Sequence, residues 1–221
     1  METKPLSVPS YLQLLLLGAL LLSLCSCGEE RRKQPVAVDG VIDLSDWDLD
    51  KDGPVTLSGE WRFVWNELIG PMPLDDFRET YTATYRVPKT WDSAILAKDK
   101  SGIDAWEAMR LGYGTYALEI RLPQNFSNQI LVTHFFTLNP TRILALGQDG
   151  ASRLGEFGFE KPDETSGKSP ARYGMVSMQT HPLGHQRLLL LLQQTRPGSP
   201  FSGGLIDAPT LFTQSNNPAS T

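Results

Sequence analysis

The residues best placed to do chemistry stand near the N-terminus. In Leu24-Cys25-Ser26-Cys27-Gly28 the Cys27 thiol follows a small residue, with leucine three positions before it and glycine after it. That spacing suits lipid attachment. A peptidase cutting in front of the modified cysteine needs a small side chain at the cleavage position; Ser26 supplies one for Cys27, whereas Cys25 would present Leu24. The thiol then takes a diacylglyceryl group, and the new α-amine can be acylated too. Each buried CH2 contributes ~0.8 kcal/mol of membrane attachment, so one chain holds marginally and two or three hold firmly. Upstream, Lys4 leads into Tyr11–Leu24, an apolar run interrupted only by Gln13, Gly18 and Ser23. It falls short of the ~20 residues of a spanning helix and has the length of a signal-peptide core. Residues 1–26 are therefore expected to be a lipoprotein signal peptide, with Cys27 lipidated. The expected location is the bacterial cell envelope, on the extracytoplasmic side of the outer or the inner membrane.

Elsewhere the side chains suit binding better than catalysis. A glycosidase needs two carboxylates about 5 to 9.5 Å apart, and nothing in the chain singles out such a pair. Glu60 and Glu156 stand in motif-like contexts but read as strand-end or turn residues. There is no Gly-x-Ser-x-Gly elbow and no Gly-rich phosphate loop. His181 and His185 have His-x3-His spacing, yet Pro182 and Gly184 between them argue against the helix that would aim both at one metal. His134 falls in a strand pattern. No metal, no cofactor and no enzymatic activity are expected. Ligand contacts should come from the long loop Asp92–Leu111, which carries Trp106, Glu107 and Arg110 and is flanked by Trp91 and Tyr113. Long ordered loops on sandwiches build binding sites. An aromatic ring there can stack on a sugar ring while arginine and carboxylate groups bond its hydroxyls. Trp91, Trp106, Arg110 and Tyr113 are the candidate ligand-binding residues, with Trp91 at the rim, and a carbohydrate-like small molecule is the expected ligand.

Charge and cysteine content narrow the partners. Lys and Arg total 20 against 25 Asp and Glu, a net charge of -5 and a pI of about 5.2. No basic stripe appears, so nucleic acid is not an expected partner. The chain has two cysteines; with Cys25 removed and Cys27 acylated, neither a disulfide nor a cysteine zinc site can form. The mature chain must then hold its fold by its core, and a domain of its size buries roughly 70% of its unfolded surface. Residues 27–35 read as a polar tether, roughly 25 Å long when extended, in which Arg31-Arg32-Lys33 could touch anionic headgroups.

The elements that must position these residues are strands. Val55–Leu57, Glu60–Trp65, Tyr81–Val87, Gly114–Leu122, Ile130–Phe136, Arg142–Leu146, Met175–Thr180, Gln186–Gln194 and Pro209–Thr213 are short, rich in β-branched and aromatic residues, and separated by turn signals. In Glu60–Trp65 the residues Trp61, Phe63 and Trp65 share a core face. In Gly114–Leu122 the residues Tyr116, Leu118, Ile120 and Leu122 face one way, Glu119 and Arg121 the other, as in a half-buried strand. The leucine run Leu188–Leu192 reads as a strand buried on both faces. The glycines at 112 and 114, and those at 203 and 204, read as turns feeding strands. Single helical turns are expected at Asn66–Ile69 and Asp104–Met109. Many short strands without alternating helices predict an all-β, antiparallel β-sandwich of jelly-roll type. It should span residues 36–213, followed by a disordered polar tail, 214–221.

The order of motifs adds a resemblance. Gly40-Val-Ile-Asp-Leu44, Trp47, Leu57-Ser-Gly-Glu-Trp-Arg-Phe63, Val87-Pro88, Trp91, Gly112-Tyr-Gly-Thr-Tyr116 and Phe201-Ser-Gly-Gly-Leu205 resemble the periplasmic sensory domain of bacterial seven-transmembrane receptors with diverse intracellular signalling modules. That domain is a galactose-binding-like jelly roll, similar to the sugar-binding domain of family 2 glycoside hydrolases. The resemblance spans roughly Val36 to Thr213. It implies a non-catalytic sensory or binding module that signals through a membrane protein. Two departures stand out: the usual Asn-Gly turn is replaced by Leu146-Gly-Gln-Asp-Gly150, and no receptor helices follow. The expectation is a free-standing lipoprotein or a fragment of a longer receptor. The competing expectation is an envelope lipoprotein that offers only a protein-binding face.

Overall fold

Period-two alternation sets the main strands. Along β3 (Gly59–Trp65) Trp61 and Phe63 are buried while Glu60 is exposed. Along β11 (Arg187–Gln194) both faces are buried: Leu188, Leu190 and Leu192 join the main core, Leu189 and Leu191 a second cluster on the other face. The computed structural model describes residues 32–70, 72, 76–80, 83–91, 112–124, 126, 130–137, 139–147, 150–157, 172–179, 187–195 and 203–213. Cys27, Trp106, Arg110, the turn expected at Asp104–Met109, the histidine pair at 181 and 185 and the tail 214–221 lie outside them.

The remaining strands among the described residues are β1 (Val41–Asp43), β2 (Val55–Thr56), β4 (Ala83–Val87), β5 (Lys89–Thr90), β6 (Gly114–Arg121), β7 (Ile130–Thr137), β8 (Thr141–Gly147), β9 (Gly150–Phe157), β10 (Arg172–Gln179), β12 (Gly204–Leu205) and β13 (Thr210–Thr213), with a helical turn at Phe77–Thr80. The larger sheet runs β4-β3-β6-β11-β8-β9, the smaller β10-β7-β13-β2, and β12 pairs β5 in a ribbon. Among these strands only β1 and β6 pair in parallel; the other pairings are antiparallel. From β6 to β13 the chain passes repeatedly between the two sheets, the exchange that makes a sandwich a jelly roll. This all-β antiparallel sandwich is the fold class expected. Trp61, Tyr116, Leu118, Ile120, Leu190 and Leu192 from the larger sheet meet Val55 and Leu211 from the smaller. Each fully buried side chain of this kind contributes about 1.5–3 kcal/mol.

Register defines two ends. Trp65 and Gln194 both lie opposite Gly114, and Thr141 lies opposite Gln194; this is the Gly114 end. At the Arg121 end, Asp43 and Arg187 lie opposite Arg121. Strand β3 pairs β6 only over Thr115–Ala117 and its neighbour Gly114, and β1 takes over the same edge at Glu119–Arg121. The N-terminal arm is thus wedged where β3 leaves β6: the Gly40 N–H donates to Glu60 O at 2.9 Å, and the Glu119 N–H donates to Gly40 O at 2.8 Å.

Four local expectations change. Asn66–Ile69 is not a helical turn. Asn66 has φ 55, and the segment crosses the outer face of the larger sheet held by strand side chains. The Thr115 hydroxyl donates to Glu67 O and accepts the Ile69 N–H, while Gln193 Nε2 donates to Ile69 O at 2.8 Å. Those bonds replace the helical ones. Strand β6 is not half-buried: Thr115 and Ala117 on its outer face are buried, Thr115 under segment Asn66–Ile69, and Glu119 is 1% exposed between the Arg121 and Arg187 side chains. Arg121 Nε at 3.2 Å offsets the cost of burying the carboxylate. Strand β9 went unread because Gly150-Ala-Ser-Arg-Leu-Gly-Glu-Phe157 has little apolar alternation; it is placed by pairing with β8, from Thr141↔Phe157 to Gly147↔Gly150. Gly114 lies within a strand, not in a turn. A Cβ there would come 2.7 Å from the Phe63 ring, so glycine is needed for close approach.

Candidate functional site

Two loop-built ends could hold a site. At the Gly114 end the aromatic residues form a graded stack. Phe63 lies 4.5 Å from Tyr116 between ring centroids, and Trp65 stands edge-on to Trp91 at 4.8 Å. Trp91 was expected at a ligand rim. It is instead 2% exposed, with its indole N–H donated to Tyr116 Oη at 2.6 Å. The β5–β12 ribbon carries it inward: the Trp91 N–H donates to Gly203 O, and a Cβ on Gly203 would collide with the indole. The ring therefore belongs to the core, and Trp65, Tyr113 and Phe157 are partly buried aromatics at this end. Tyr113 is half-buried. Its carbonyl accepts the Asn66 N–H at 2.9 Å. Trp91 is thus closed inside the core, while Tyr113 keeps part of its surface in solvent.

Tyr116, fully enclosed here, has its phenol pushed well above the usual tyrosine range. Burial is the main cause; the Trp91 indole N–H acts against it.

At the Arg121 end lies a cleft of about 430 Å3, lined by Ser45, Asp46, Trp47, Asp48, Leu49, Asp50, Lys51, Pro123 and Phe126. Its size is within the range of small-ligand sites. Two chain segments build it: the loop leaving β1 and the segment leaving β6. Trp47, Leu49 and Phe126 are buried at its floor, and the indole of Trp47 is fixed by donating to Gly53 O at 2.9 Å. Above them Asp46, Asp48, Asp50 and Lys51 supply charge.

The aspartates largely serve the loop itself. Asp48 Oδ1 accepts the Asp50 N–H at 3.0 Å, Asp52 Oδ2 accepts the Asp48 N–H at 2.9 Å, and Asp48 Oδ2 pairs with Lys51 Nζ at 3.1 Å. The Thr213 hydroxyl donates to Asp50 Oδ1, tying the loop to β13. The Lys51 contact is the main cause holding Asp48 below the usual carboxylate range. Hydrogen bonds from the Ser45 side chain and then its N–H do the same for Asp43 behind it. Among the described residues no three His, Cys, Asp or Glu side chains are arranged to hold a metal ion.

The cleft is the feature that residue-by-residue reading missed. Its signal was Asp46-Trp-Asp48-Leu-Asp50-Lys-Asp52-Gly53, a dense run of turn-forming aspartates interleaved with apolar residues.

No protein-family model and no curated protein sequence matches the chain. Among solved structures it is similar to a beta-glucuronidase of Faecalibacterium prausnitzii, with 15% identity and a TM-score of 0.45 over 72% of this chain and 31% of that one. It is also similar to a beta-D-mannosidase of Dictyoglomus thermophilum, with 11% identity and a TM-score of 0.38 over 72% of this chain and 22% of that one. The chain spans less than a third of either enzyme's length.

Proposed function

We propose that this protein is a non-catalytic, lipid-anchored extracytoplasmic binding module. Its cleft takes a small carbohydrate-like ligand, and occupancy is passed to a signalling protein in the membrane. The cleft carries the reading: it combines an apolar floor of Trp47, Leu49 and Phe126 with a polar rim of Ser45, Asp46, Asp48 and Lys51. A sugar ring has the same division, with C–H groups on its faces and hydroxyls at its edge. The lipobox around Cys27 supports the anchoring, and the motif order Leu57–Phe63 and Gly112–Tyr116 supports the sensory role.

Calorimetric titration of the mature chain with a panel of neutral mono- and disaccharides tests the binding. Micromolar to millimolar binding that Asp46→Ala weakens supports the cleft. Binding that ignores Asp46→Ala but vanishes in Trp106→Ala or Arg110→Ala moves the site to the 92–111 loop. No binding by any sugar overturns the carbohydrate reading. The mass of the mature N-terminus tests the anchor separately, since an unacylated start removes it.

A further inference from the structure

The N-terminal arm enters the sandwich at the end that bears the cleft. Gln34 Nε2 donates to Pro54 O at 3.0 Å, and Gln34 Oε1 accepts the Thr56 N–H. Pro54 closes the loop whose other half lines the cleft. The Ala37 N–H donates to Ser58 O, and Ala37 bridges Gly59. The exposed large apolar side chains among the described residues are Val36 (50%), Val38 (65%) and Ile206 (37%). The two most exposed flank the buried Ala37 on this arm, and the acidic group beside them, Asp39, is paired with Arg62 at 2.9 Å.

We infer that the Arg121 end lies against the bilayer, with Val36 and Val38 at its surface and the cleft mouth at headgroup level. The inference rests on the lipidation of Cys27. Chain length carries it further. Gln34 is seven residues beyond Cys27, a reach of about 24 Å at full extension. Strand β6, with 8 residues, is about 25 Å long. Turning the Gly114 end to the membrane would require the tether to run the whole length of the sheet, fully stretched. Keeping the Arg121 end down requires no extension and removes two valines from water. The cleft then meets ligands displayed on the membrane, such as the glycan headgroups of membrane-embedded molecules.

The test uses the exported full chain in phosphatidylcholine vesicles. Signal cleavage removes Cys25 and acylation blocks Cys27, so Val38→Cys, Asp46→Cys and Glu67→Cys each give one thiol for an environment-sensitive fluorophore. Nitroxide-labelled lipid serves as quencher. The expected result is severalfold stronger quenching and a blue-shifted emission at position 38, weaker quenching at 46, and none at 67, which is exposed at the far end. Equal quenching at all three positions, none at 38, or the strongest at 67 overturns the orientation. The N-terminal mass of the same preparation separates the causes. An unacylated chain overturns both the anchor and the orientation, whereas an acylated chain with the wrong pattern overturns the orientation alone.

Discussion

Trp91 donates its indole N–H to the Tyr116 phenol at 2.6 Å, wholly inside the core. Twenty-five residues separate them in sequence, and the bond joins the β5–β12 ribbon to the centre of the larger sheet. The Leu205 N–H also reaches the Tyr116 oxygen, so one hydroxyl links three segments. Tyr116→Phe should leave the Trp91 donor unsatisfied at a cost of about 1–3 kcal/mol, read as a lower urea midpoint with an unchanged slope.

The same phenol sets a pH response. Its folded pKa is raised by burial, so the folded state keeps a proton that the unfolded state releases above about pH 10. The stabilising effect is complete below that value and is lost as pH rises. Wild-type stability should fall above pH ~10, and Tyr116→Phe should show a shallower decline in alkaline urea titrations.

Gly203 and Trp91 should be coupled. A methyl at position 203 would occupy indole space, so Gly203→Ala should cost about 1–3 kcal/mol as overpacking. In a Trp91→Leu background the same methyl should cost much less. A double-mutant cycle with additive costs would contradict the contact.

Asp43 gives the acid-side counterpart. Its folded pKa is lowered by the Ser45 hydrogen bonds. Its contribution is therefore present above the unfolded value of about 3.9 and is lost as pH falls through the folded one. Asp43→Asn should flatten the loss of stability below pH ~4 and leave stability at neutral pH only slightly lower.

Glu119 tests the buried charge. Its side chain is 2% exposed, while Arg121 and Arg187 keep 40% and 31% of theirs in solvent. Water screens the arginines, so Glu119→Gln should cost less than the 3–5 kcal/mol typical of breaking a buried pair, about 1–2 kcal/mol. Denaturant unfolding would measure it.

What the residues determined by themselves is what period and composition encode locally. Alternation placed Trp61 and Phe63 on one face of their strand and Tyr116, Leu118 and Ile120 on one face of theirs. The run Leu188–Leu192 declared a strand covered on both sides, and the scarcity of helical period left only an antiparallel sandwich. The side chains that mattered for a site were decided by tertiary contacts far apart in sequence. Trp91 is buried because the Gly203 backbone closes over it, Glu119 because the Arg121 and Arg187 side chains pack against it. Strand β9 exists because β8 offers it an edge. The cleft joins Asp46–Lys51 to Phe126, two loops whose nearness follows from β1 pairing with the end of β6. Alternation tells which way a side chain points from its own strand; only the neighbouring segments decide whether solvent, a ligand or another layer of protein lies there.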